Sequence, residues 1–379
     1  MKVHEEVFLS LVRNSLWETQ VEVPVGFKDW GLVMRLAKIQ ALQGSVAKAL
    51  LDNPSVMATM KPGAELKLSD QILSNVLMHS IANSSLQTLV PALSGAGISC
   101  VLLKGQGLAA NYPQPEMREC GDIDLYVGEK DYRGSYEVLR DLVEEIDEQK
   151  VLDGNGKHYH AWVSGISIEV HKFSEVIPYK ALDKLYQKYA SEGLSDNLVE
   201  LKFGDGKVMT PADNFNAFYV FSHLWQHYIS IGVGLRQVCD WTMFLHKRGG
   251  NVDREYLRQV LTEMNMMRPW KVFGCIAVDI LGLAEDEFPF YDAKYRNNAL
   301  KVLKHIIHEG DLGRETEFIR VADRGYLKEK LVSLKFYLKR FIALVTVFPA
   351  HALRHVCRSV CNGLRGTVRD MTTSLRSMI

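Results

Sequence analysis

The sequence predicts an α+β fold in which a small mixed β-sheet lies between helical regions on its N-terminal and C-terminal sides. Apolar residues recur at helical spacing up to about residue 97 and again from residue 211. Between them, residues 98–210 contain short apolar runs and alternating runs bounded by glycine. With 379 residues, of which 47% are hydrophobic, the chain is long enough to bury a large core and to form two or three domains.

The first region, residues 1–97, is predicted to be a helical domain or subdomain. Its clearest signal is a set of apolar residues spaced three and four apart, which places them on one buried face of a helix. The set consists of Leu32, Leu36, Ile39, Leu42, Val46 and Leu50. A second helical segment is predicted over residues 70–93.

The second region, residues 98–210, is predicted to contain the sheet. The run GISCVLLKG is nearly all apolar and is flanked by glycines, which indicates a buried strand, and DIDLYV indicates another. The amphipathic residues 131–149 predict a helix. Two hairpins are predicted after it, one turning at Ser164-Gly165 and the other around Asp205.

The remaining chain is predicted to be helical, as a helical domain over residues 211–325 and a basic helical tail over residues 326–379. Thr210 is predicted to be the N-cap of the first of these helices. Pro211 would then occupy the first helical position, and Asp213 would be the acid of a capping box.

The basic tail is set apart by its charge. It holds ten Lys or Arg residues and two acids, a net charge of +8, which leaves −8 on the rest of a chain that is neutral as a whole. Its apolar stripe consists of Leu327, Leu331, Leu334, Leu338, Phe341 and Val345. The stripe predicts a helix that packs on the core with a solvated basic face. Contact with an anionic membrane surface or with RNA stays open.

The composition also predicts a cytoplasmic protein. The six cysteines show no C-x-x-C spacing and no disulfide framework, and Cys357 and Cys361 are interpreted as an apolar pair one helical turn apart. The first residues carry acids where a signal peptide needs an apolar stretch. The longest apolar run, residues 341–348, is much shorter than a membrane span.

Residues 102–127 contain two patterns that indicate different chemistry. The first, Gly105-x-Gly107-x-x-Ala110, is close to the glycine turn of a dinucleotide-binding fold. Such a turn opens a helix of several turns, and Pro113 would end that helix after about two turns. The acids that follow also stand at the start of the next strand and not at its end. The aspartates, and not the glycines, are therefore predicted to carry the chemistry.

Asp122 and Asp124 are predicted to form one half of a metal site. Side chains alternate between the two faces of a strand, so these two project to one side while Ile123 and Leu125 point into the core. Neighbouring carboxylates repel unless a cation lies between them, and Mg²⁺ binds such carboxylates together with phosphate oxygens. The alternative is a solvated strand edge without a ligand.

A third acid is available on the second strand of the first hairpin. Glu169 lies between Ile168 and Val170, so its carboxylate points away from the packed residues, and His171 shares its face. A third carboxylate would complete a two-metal site, which activates an attacking hydroxyl and stabilises a leaving pyrophosphate.

A histidine pair offers a weaker candidate for a metal site. His223 and His227 lie one helical turn apart, a spacing that suits zinc. The residues between them lack the glutamate of the metalloprotease motif. Packing and hydrogen bonding are the favoured interpretation.

Taken together, these residues resemble the uncharacterised nucleotidyltransferase family of the polymerase-beta-like superfamily. The elements that match, in chain order, are Lys104-Gly105, Tyr112-Pro113, Arg118, GDIDL at residues 121–125, IEVH at residues 168–171, and the helical segments SHLWQHY and GLRQVCDW. The resemblance covers about residues 30–250. Lys104-Gly105 stands where the wider superfamily has a glycine-serine pair, so the phosphate contacts are less well defined by the motif than the metal ligands.

The resemblance implies Mg²⁺-dependent transfer of a nucleoside monophosphate from an NTP to an acceptor, with release of pyrophosphate. It implies a metal-binding and catalytic set made of Asp122, Asp124 and Glu169, where Glu169 is either the third ligand or the general base. It also implies a set that binds the nucleotide, made of Lys104, Gly105, Arg118 and His171. Without that role, Lys104 is a solvated lysine and Arg118 forms a surface ion pair with Glu116 or Glu119.

Other functions stay open at the level of the sequence. One alternative is a catalytically silent protein that keeps the fold and binds a nucleotide or a partner protein. Another is an RNA-modifying enzyme or toxin that holds tRNA with its basic tail. The acceptor, whether a small molecule, a protein or RNA, is not encoded in the motifs.

Overall fold

The structure is a computed structural model that describes residues 1–153, 156–310 and 338–354. Helices come first along the chain: α1 (Val3–Trp17), α2 (Trp30–Ile39), α3 (Gln43–Leu51), α4 (Pro54–Met57) and α5 (Ala64–Gly95). The predicted α+β class is confirmed, because helices flank a single mixed sheet.

The sheet has seven strands, all between residues 101 and 210. They are β1 (Val101–Leu102), β2 (Ile123–Tyr126), β3 (Glu145–Ile146), β4 (His158–Val163), β5 (Ile166–His171), β6 (Val199–Phe203) and β7 (Gly206–Thr210), in the spatial order β3-β4-β5-β2-β1-β7-β6. The pairs β2·β5 and β1·β7 are parallel, and the other neighbouring pairs are antiparallel. Both predicted hairpins are present, as β4–β5 and β6–β7.

The remaining helices lie between the strands or follow them. They are α6 (Gln106–Ala109), α7 (Gly128–Leu139), α8 (Glu148–Asp153), α9 (Lys180–Gly193), α10 (Asp213–Ser230), α11 (Leu235–Arg248), α12 (Arg254–Glu263), α13 (Met267–Asp279) and α14 (Arg296–Glu309), and residues 338–345 and 349–354 are also helical. Within the described residues, no helix is both long enough and apolar enough to cross a membrane.

The two faces of the sheet differ in polarity. On β2 and β5, Ile123, Leu125, Ile168 and Val170 are almost completely buried and belong to an apolar cluster that includes Leu86 of α5. Because strand side chains alternate, the residues between them face the opposite side. The helices before and after the sheet share a second apolar core, which extends from α1 to α14. The domain boundaries predicted from the sequence stay a prediction.

The predicted stripe over residues 32–50 is interrupted. The helix α2 ends at Ile39, and Ala41 adopts a left-handed conformation with φ +52°. The Leu42 amide donates to the Ala37 carbonyl at 2.8 Å, a Schellman-type termination. The next helix, α3, begins at Gln43. Leu32 is 41% exposed, so the prediction that it is buried was wrong.

Two further helix boundaries differ from the prediction. The helix predicted over residues 131–149 ends at Leu139, because the following residues pair with the edge of β4 as β3. The helix α10 begins at Asp213 with Ala212 as its N-cap, not Thr210. Thr210 is the last residue of β7, and its hydroxyl donates to the Val199 carbonyl at 3.0 Å.

Of the predicted basic tail, the structure describes residues 338–354. Leu327, Leu331, Leu334, Cys357 and Cys361 lie outside the described residues. Leu338 is 58% exposed, so its predicted burial was wrong, whereas Phe341 and Val345 are partly buried against the core. The buried side chains here include Arg340, which pairs with Glu309 and lies over the ring of Tyr228.

A buried amide joins a helix that precedes the sheet in the chain to two helices that follow it. The Gln40 side chain is completely buried, and its Nε2 donates to the Ile306 carbonyl of α14 at 2.9 Å. Its Oε1 accepts from the Leu235 amide at the start of α11 at 2.7 Å. An amide at this position satisfies two backbone groups that are buried at helix ends.

Replacing Gln40 with leucine is expected to lower the free energy of unfolding by about 1–3 kcal/mol. The reason is that the Leu235 amide would lose its acceptor without access to water. Urea denaturation measures the change. Gln43→Leu is the matched control, because the Gln43 side chain is only part-buried and bonds to the Gln71 side chain. Equal effects of the two substitutions would contradict this role for Gln40.

Candidate functional site

The polar face of the sheet brings two of the predicted acids together. The strands β2 and β5 are parallel neighbours, and their register pairs Asp124 with Glu169 and Tyr126 with His171. Asp122 lies immediately before β2 and is exposed. Each of the three acids offers a carboxylate oxygen within 4.8 Å of the others. The alternation and the pairing therefore create the carboxylate group that the sequence predicted.

Asp124 is the buried centre of this group. It is 0% exposed, and its Oδ1 lies 3.0 Å from Lys104 Nζ and 2.9 Å from His171 Nε2. Its Oδ2 is also buried but has no hydrogen-bond partner. A buried carboxylate oxygen without a partner is costly, which makes it a suitable ligand for a cation.

Glu169 is surrounded by imidazoles. Its Oε2 lies 3.2 Å from His171 Nε2 and 3.3 Å from His158 Nδ1, and its Oε1 lies 3.8 Å from His160 Nδ1. The sequence predicted His171 on this face but gave no role to His158 or His160. These two histidines lie opposite His171 and Glu169 in the antiparallel β4–β5 register.

The three acids differ in their pKa values because their surroundings differ. The Asp124 carboxylate raises the pKa of Asp122, and partial desolvation of its carboxylate by the surrounding atoms adds to that increase. Burial alone would raise the pKa of Asp124, but Lys104 and His171 outweigh it and hold that pKa well below its usual value. Burial also opposes ionisation of Glu169, yet the hydrogen bond from His171 lowers its pKa to about 2.

The cations facing Asp124 are perturbed in the opposite sense. Burial lowers the pKa of Lys104, but the Asp124 and Asp122 carboxylates more than compensate and raise it overall. Burial likewise lowers the pKa of His171, and its hydrogen bonds with Asp124 and Glu169 raise it above its ordinary value. The site is thus a cluster of compensating buried charges.

The turn after β1 places Lys104 in the site. Gly105 has φ +55°, and a Cβ at this position would lie 3.0 Å from the Asp122 carbonyl oxygen, so both conformation and space favour glycine. The following helix α6 spans only Gln106–Ala109. A dinucleotide-binding turn needs a longer helix, so that interpretation of the glycines is excluded.

Arg118 is buried in an ion pair with Asp240 of α11. Its Nε and Nη2 donate to the two Asp240 oxygens at 2.7 and 2.8 Å, and the Tyr112 hydroxyl donates to the same carboxylate at 2.7 Å. The alternative of a surface ion pair with Glu116 or Glu119 was therefore wrong. The predicted role of Arg118 as a phosphate clamp stays a prediction.

A second polar network, which the sequence did not reveal, supports Lys104 from α10. His223 Nε2 lies 3.4 Å from Lys104 Nζ, and His223 Nδ1 lies 3.2 Å from Glu175 Oε2. The other Glu175 oxygen accepts from Lys157 Nζ at 3.1 Å. Burial and then Lys104 lower the pKa of His223 to about 3, so this imidazole is neutral.

The histidine pair of α10 packs as predicted. Among the described residues, neither His223 nor His227 belongs to a group of three ligand atoms close enough to share an ion. Their rings lie 4.3 Å apart between centroids, and His223 is hydrogen-bonded to Glu175. Glu175 itself carried no signal in the sequence, because it lies in the loop after β5 without a recognisable motif.

The carboxylates open into a cleft between the sheet and the helices that follow it. The cleft is lined by Lys104, Gly105, Leu108, Arg118, Gly121, Asp122, Asp124, Val220, His223, Leu224, Arg236, Gln237 and Asp240. Five predicted site residues therefore line one cleft together with Arg236 and His223, and they are Lys104, Gly105, Arg118, Asp122 and Asp124. The residues present fit a divalent cation, since carboxylate oxygens are the ligands that Mg²⁺ prefers.

Comparison with models of known protein families gives a match over most of the chain. The family model described as "Uncharacterised nucleotidyltransferase" matches residues 27–282, which is more than half of the chain. No curated protein and no solved structure matches the chain.

In the absence of metal ions, the stability that His171 contributes is expected to fall as the pH rises. Its pKa in the folded protein is raised above the ordinary value of about 6.5. The contribution of His171 to the free energy of unfolding is therefore complete below pH ~6.5 and is lost as the pH rises through the folded pKa. Its size is about 1.4 kcal/mol for each unit by which folding raises the pKa. The measurement is the free energy of unfolding in EDTA between pH 6 and 9.

The substitution His171→Gln should flatten this pH dependence, because it removes the titrating imidazole. His4→Gln is the control, because His4 lies on α1 and not on the sheet. Parallel pH curves for the wild-type protein and His171→Gln would contradict the ion pairing of His171.

Proposed function

Because the chain belongs to the uncharacterised nucleotidyltransferase family, we propose that it transfers a nucleoside monophosphate from an NTP to an acceptor in a Mg²⁺-dependent reaction that releases pyrophosphate. The family supports a general nucleotidyltransferase role. The observation that carries the finer proposal is the buried Asp124 carboxylate, which has one oxygen without a hydrogen-bond partner and lies in register with Glu169.

Asp122, Asp124 and Glu169 would hold the divalent ions. When bound, such ions neutralise the triphosphate, activate the attacking hydroxyl and stabilise the leaving pyrophosphate. Glu169 suits the role of ligand better than that of general base. A carboxylate whose pKa is about 2 holds a proton poorly at neutral pH, whereas a general base works best with a pKa near the working pH.

Lys104 and the Gly105 backbone would contact the triphosphate. Lys104 lines the cleft, and the neutral His223 ring accepts from its Nζ while donating its Nδ1 proton to Glu175. This chain of hydrogen bonds fixes the direction of the ammonium group. Lysine serves in phosphate sites as a point charge, so its position decides which phosphate it contacts.

Arg118 and Asp240 would position the floor of the cleft. Two nitrogens of the guanidinium are bound to Asp240, and the third, Nη1, donates to the Glu119 carbonyl at 3.2 Å. Arg236 Nη1 donates to the same carbonyl at 2.9 Å. These bonds hold the chain just before Asp122, and they favour a positioning role for Arg118 over direct contact with phosphate.

One observation favours the alternative of a catalytically silent nucleotide-binding protein. The Lys104 ammonium and the His171 ring already compensate the charge of Asp124 Oδ1 without a metal ion. A site that is electrostatically balanced in this way can hold a nucleotide through Lys104 alone. An RNA-directed activity through the basic tail rests on residues 326–337 and 355–379, which lie outside the described residues, and stays a prediction.

Replacing Asp124 with asparagine is expected to lower Mg²⁺-dependent pyrophosphate release by about three orders of magnitude, equivalent to about 4 kcal/mol of transition-state stabilisation. The substitution keeps the shape of the side chain but removes the charge that binds the ion. The assay supplies each labelled NTP with Mg²⁺ and cell lysate as the source of acceptor, and it identifies the labelled product.

Asp141→Asn is the matched control, since Asp141 is an exposed aspartate after α7. Unchanged turnover in Asp124→Asn would contradict the proposed function. Calorimetric NTP binding without pyrophosphate release under any acceptor screen would instead support the silent protein.

A further inference from the structure

A second set of three atoms that could bind a metal ion lies beside the carboxylate group, and two of these atoms are imidazole nitrogens. His158 Nδ1 and His171 Nε2 lie 3.3 and 3.2 Å from the same oxygen, Glu169 Oε2. The three atoms lie within 4.8 Å of one another. The antiparallel pairing of β4 with β5 creates this set, because it places His158 directly opposite His171.

The hydrogen bond on the far side of the His171 ring determines which nitrogen faces the set. His171 Nδ1 lies 3.2 Å from the Phe173 carbonyl oxygen, which only accepts hydrogen bonds. Nδ1 therefore carries a proton, and Nε2 carries one when it donates to Asp124 Oδ1 and Glu169 Oε2 in the absence of metal. A metal ion that displaced the Nε2 proton would bind the lone pair of that nitrogen. Metal-binding histidines are oriented by such a bond from the other nitrogen to a backbone carbonyl.

Two buried atoms at this site lack the hydrogen-bond partners that a purely structural cluster would supply. His158 Nδ1 is buried and makes no hydrogen bond, although it faces Glu169. Asp124 Oδ2 is buried and equally without a hydrogen bond, in a residue that is 0% exposed. A bound cation would give either atom the partner that it lacks.

The spacing of the donor atoms also suits a transition-metal ion. Ligands that lie about 2.0–2.1 Å from a zinc-like ion in tetrahedral geometry are separated from each other by about 3.3–3.4 Å. The separations of 3.2 and 3.3 Å around Glu169 Oε2 agree with this value. Mg²⁺ prefers oxygen ligands, whereas imidazole suits zinc and its first-row neighbours.

We propose that His158, Glu169 and His171 bind a first-row transition-metal ion such as zinc, with Asp124 as the fourth protein ligand. This site differs from the all-oxygen group of Asp122, Asp124 and Glu169, although it shares two of its carboxylates. Its existence does not rest on nucleotide transfer. If the proposed function also holds, the two cation positions are chemically inequivalent, and one of them selects a metal by its nitrogen ligands.

The test uses the full chain, freed of metal with EDTA and titrated with Co²⁺ in the absence of nucleotide. The expected result is one equivalent bound with the visible absorption of a tetrahedral Co²⁺ site. His158→Gln should weaken the affinity for Co²⁺ at least about 100-fold. Loss of an outer-shell partner already costs up to about 100-fold, and loss of a direct ligand should cost no less. The matched control is His246→Gln on α11, whose imidazole pairs with Glu287, and this variant should bind as the wild-type protein does. Asp122→Asn should also retain the site.

A second measurement needs no substitution and so does not depend on a variant that folds. Pulsed electron paramagnetic resonance of the wild-type protein loaded with one equivalent of Cu²⁺, an ion that imidazole ligands suit, should show coupling to imidazole nitrogen. The proposal is overturned if Co²⁺ does not bind, if His158→Gln binds it as tightly as the wild-type protein, or if the Cu²⁺ signal lacks nitrogen coupling. These readouts involve no turnover, so their failure is distinct from a failure of NTP consumption.

Discussion

The parallel pairing of β2 with β5 is the constraint on which the rest of the site depends. It places Asp124 beside Glu169 on the polar face while Ile123 and Ile168 pack on the other face. Since side chains alternate along a strand, the apolar packing and the carboxylate pair follow from one register. A shift of one residue in either strand would bury a carboxylate in the apolar cluster and expose an isoleucine, so the core itself holds the acids in place.

Burying the negative charge of these acids requires nearby positive charge and hydrogen bonds, which residues of the surrounding elements provide. Lys104 reaches Asp124 from the turn after β1, and His171 reaches it from β5. Behind Lys104, His223 and Glu175 fix the ammonium group. A buried charge is tolerated when it is paired and hydrogen-bonded, so the helices after the sheet are part of the site and not only a support for it. The same charges leave one oxygen of Asp124 without a partner, which is where a cation fits.

Local signals in the sequence were sufficient for the elements that carry the acids. The alternation around Asp124 predicted its face, and Ser164-Gly165 predicted the hairpin that presents Glu169. What the sequence did not predict depends on contacts between distant segments. Asp240 lies 122 positions after Arg118 and neutralises its charge, and no local sequence pattern predicts this ion pair. The neighbours of Glu169 on β4 were also missed, because only the strand register brings His158 onto its carboxylate.

Nucleotide transfer at this site would require Asp124 to bind a divalent cation that carries the triphosphate. The most direct measurement is anomalous diffraction from crystals grown with Mn²⁺ and a non-hydrolysable NTP analogue. The predicted result is an Mn²⁺ peak about 2.0–2.2 Å from Asp124 Oδ2, with a phosphate oxygen in its coordination sphere and Lys104 against the phosphates. An analogue bound without a peak at Asp124, while Lys104 and His171 keep both contacts to that carboxylate, would contradict the account.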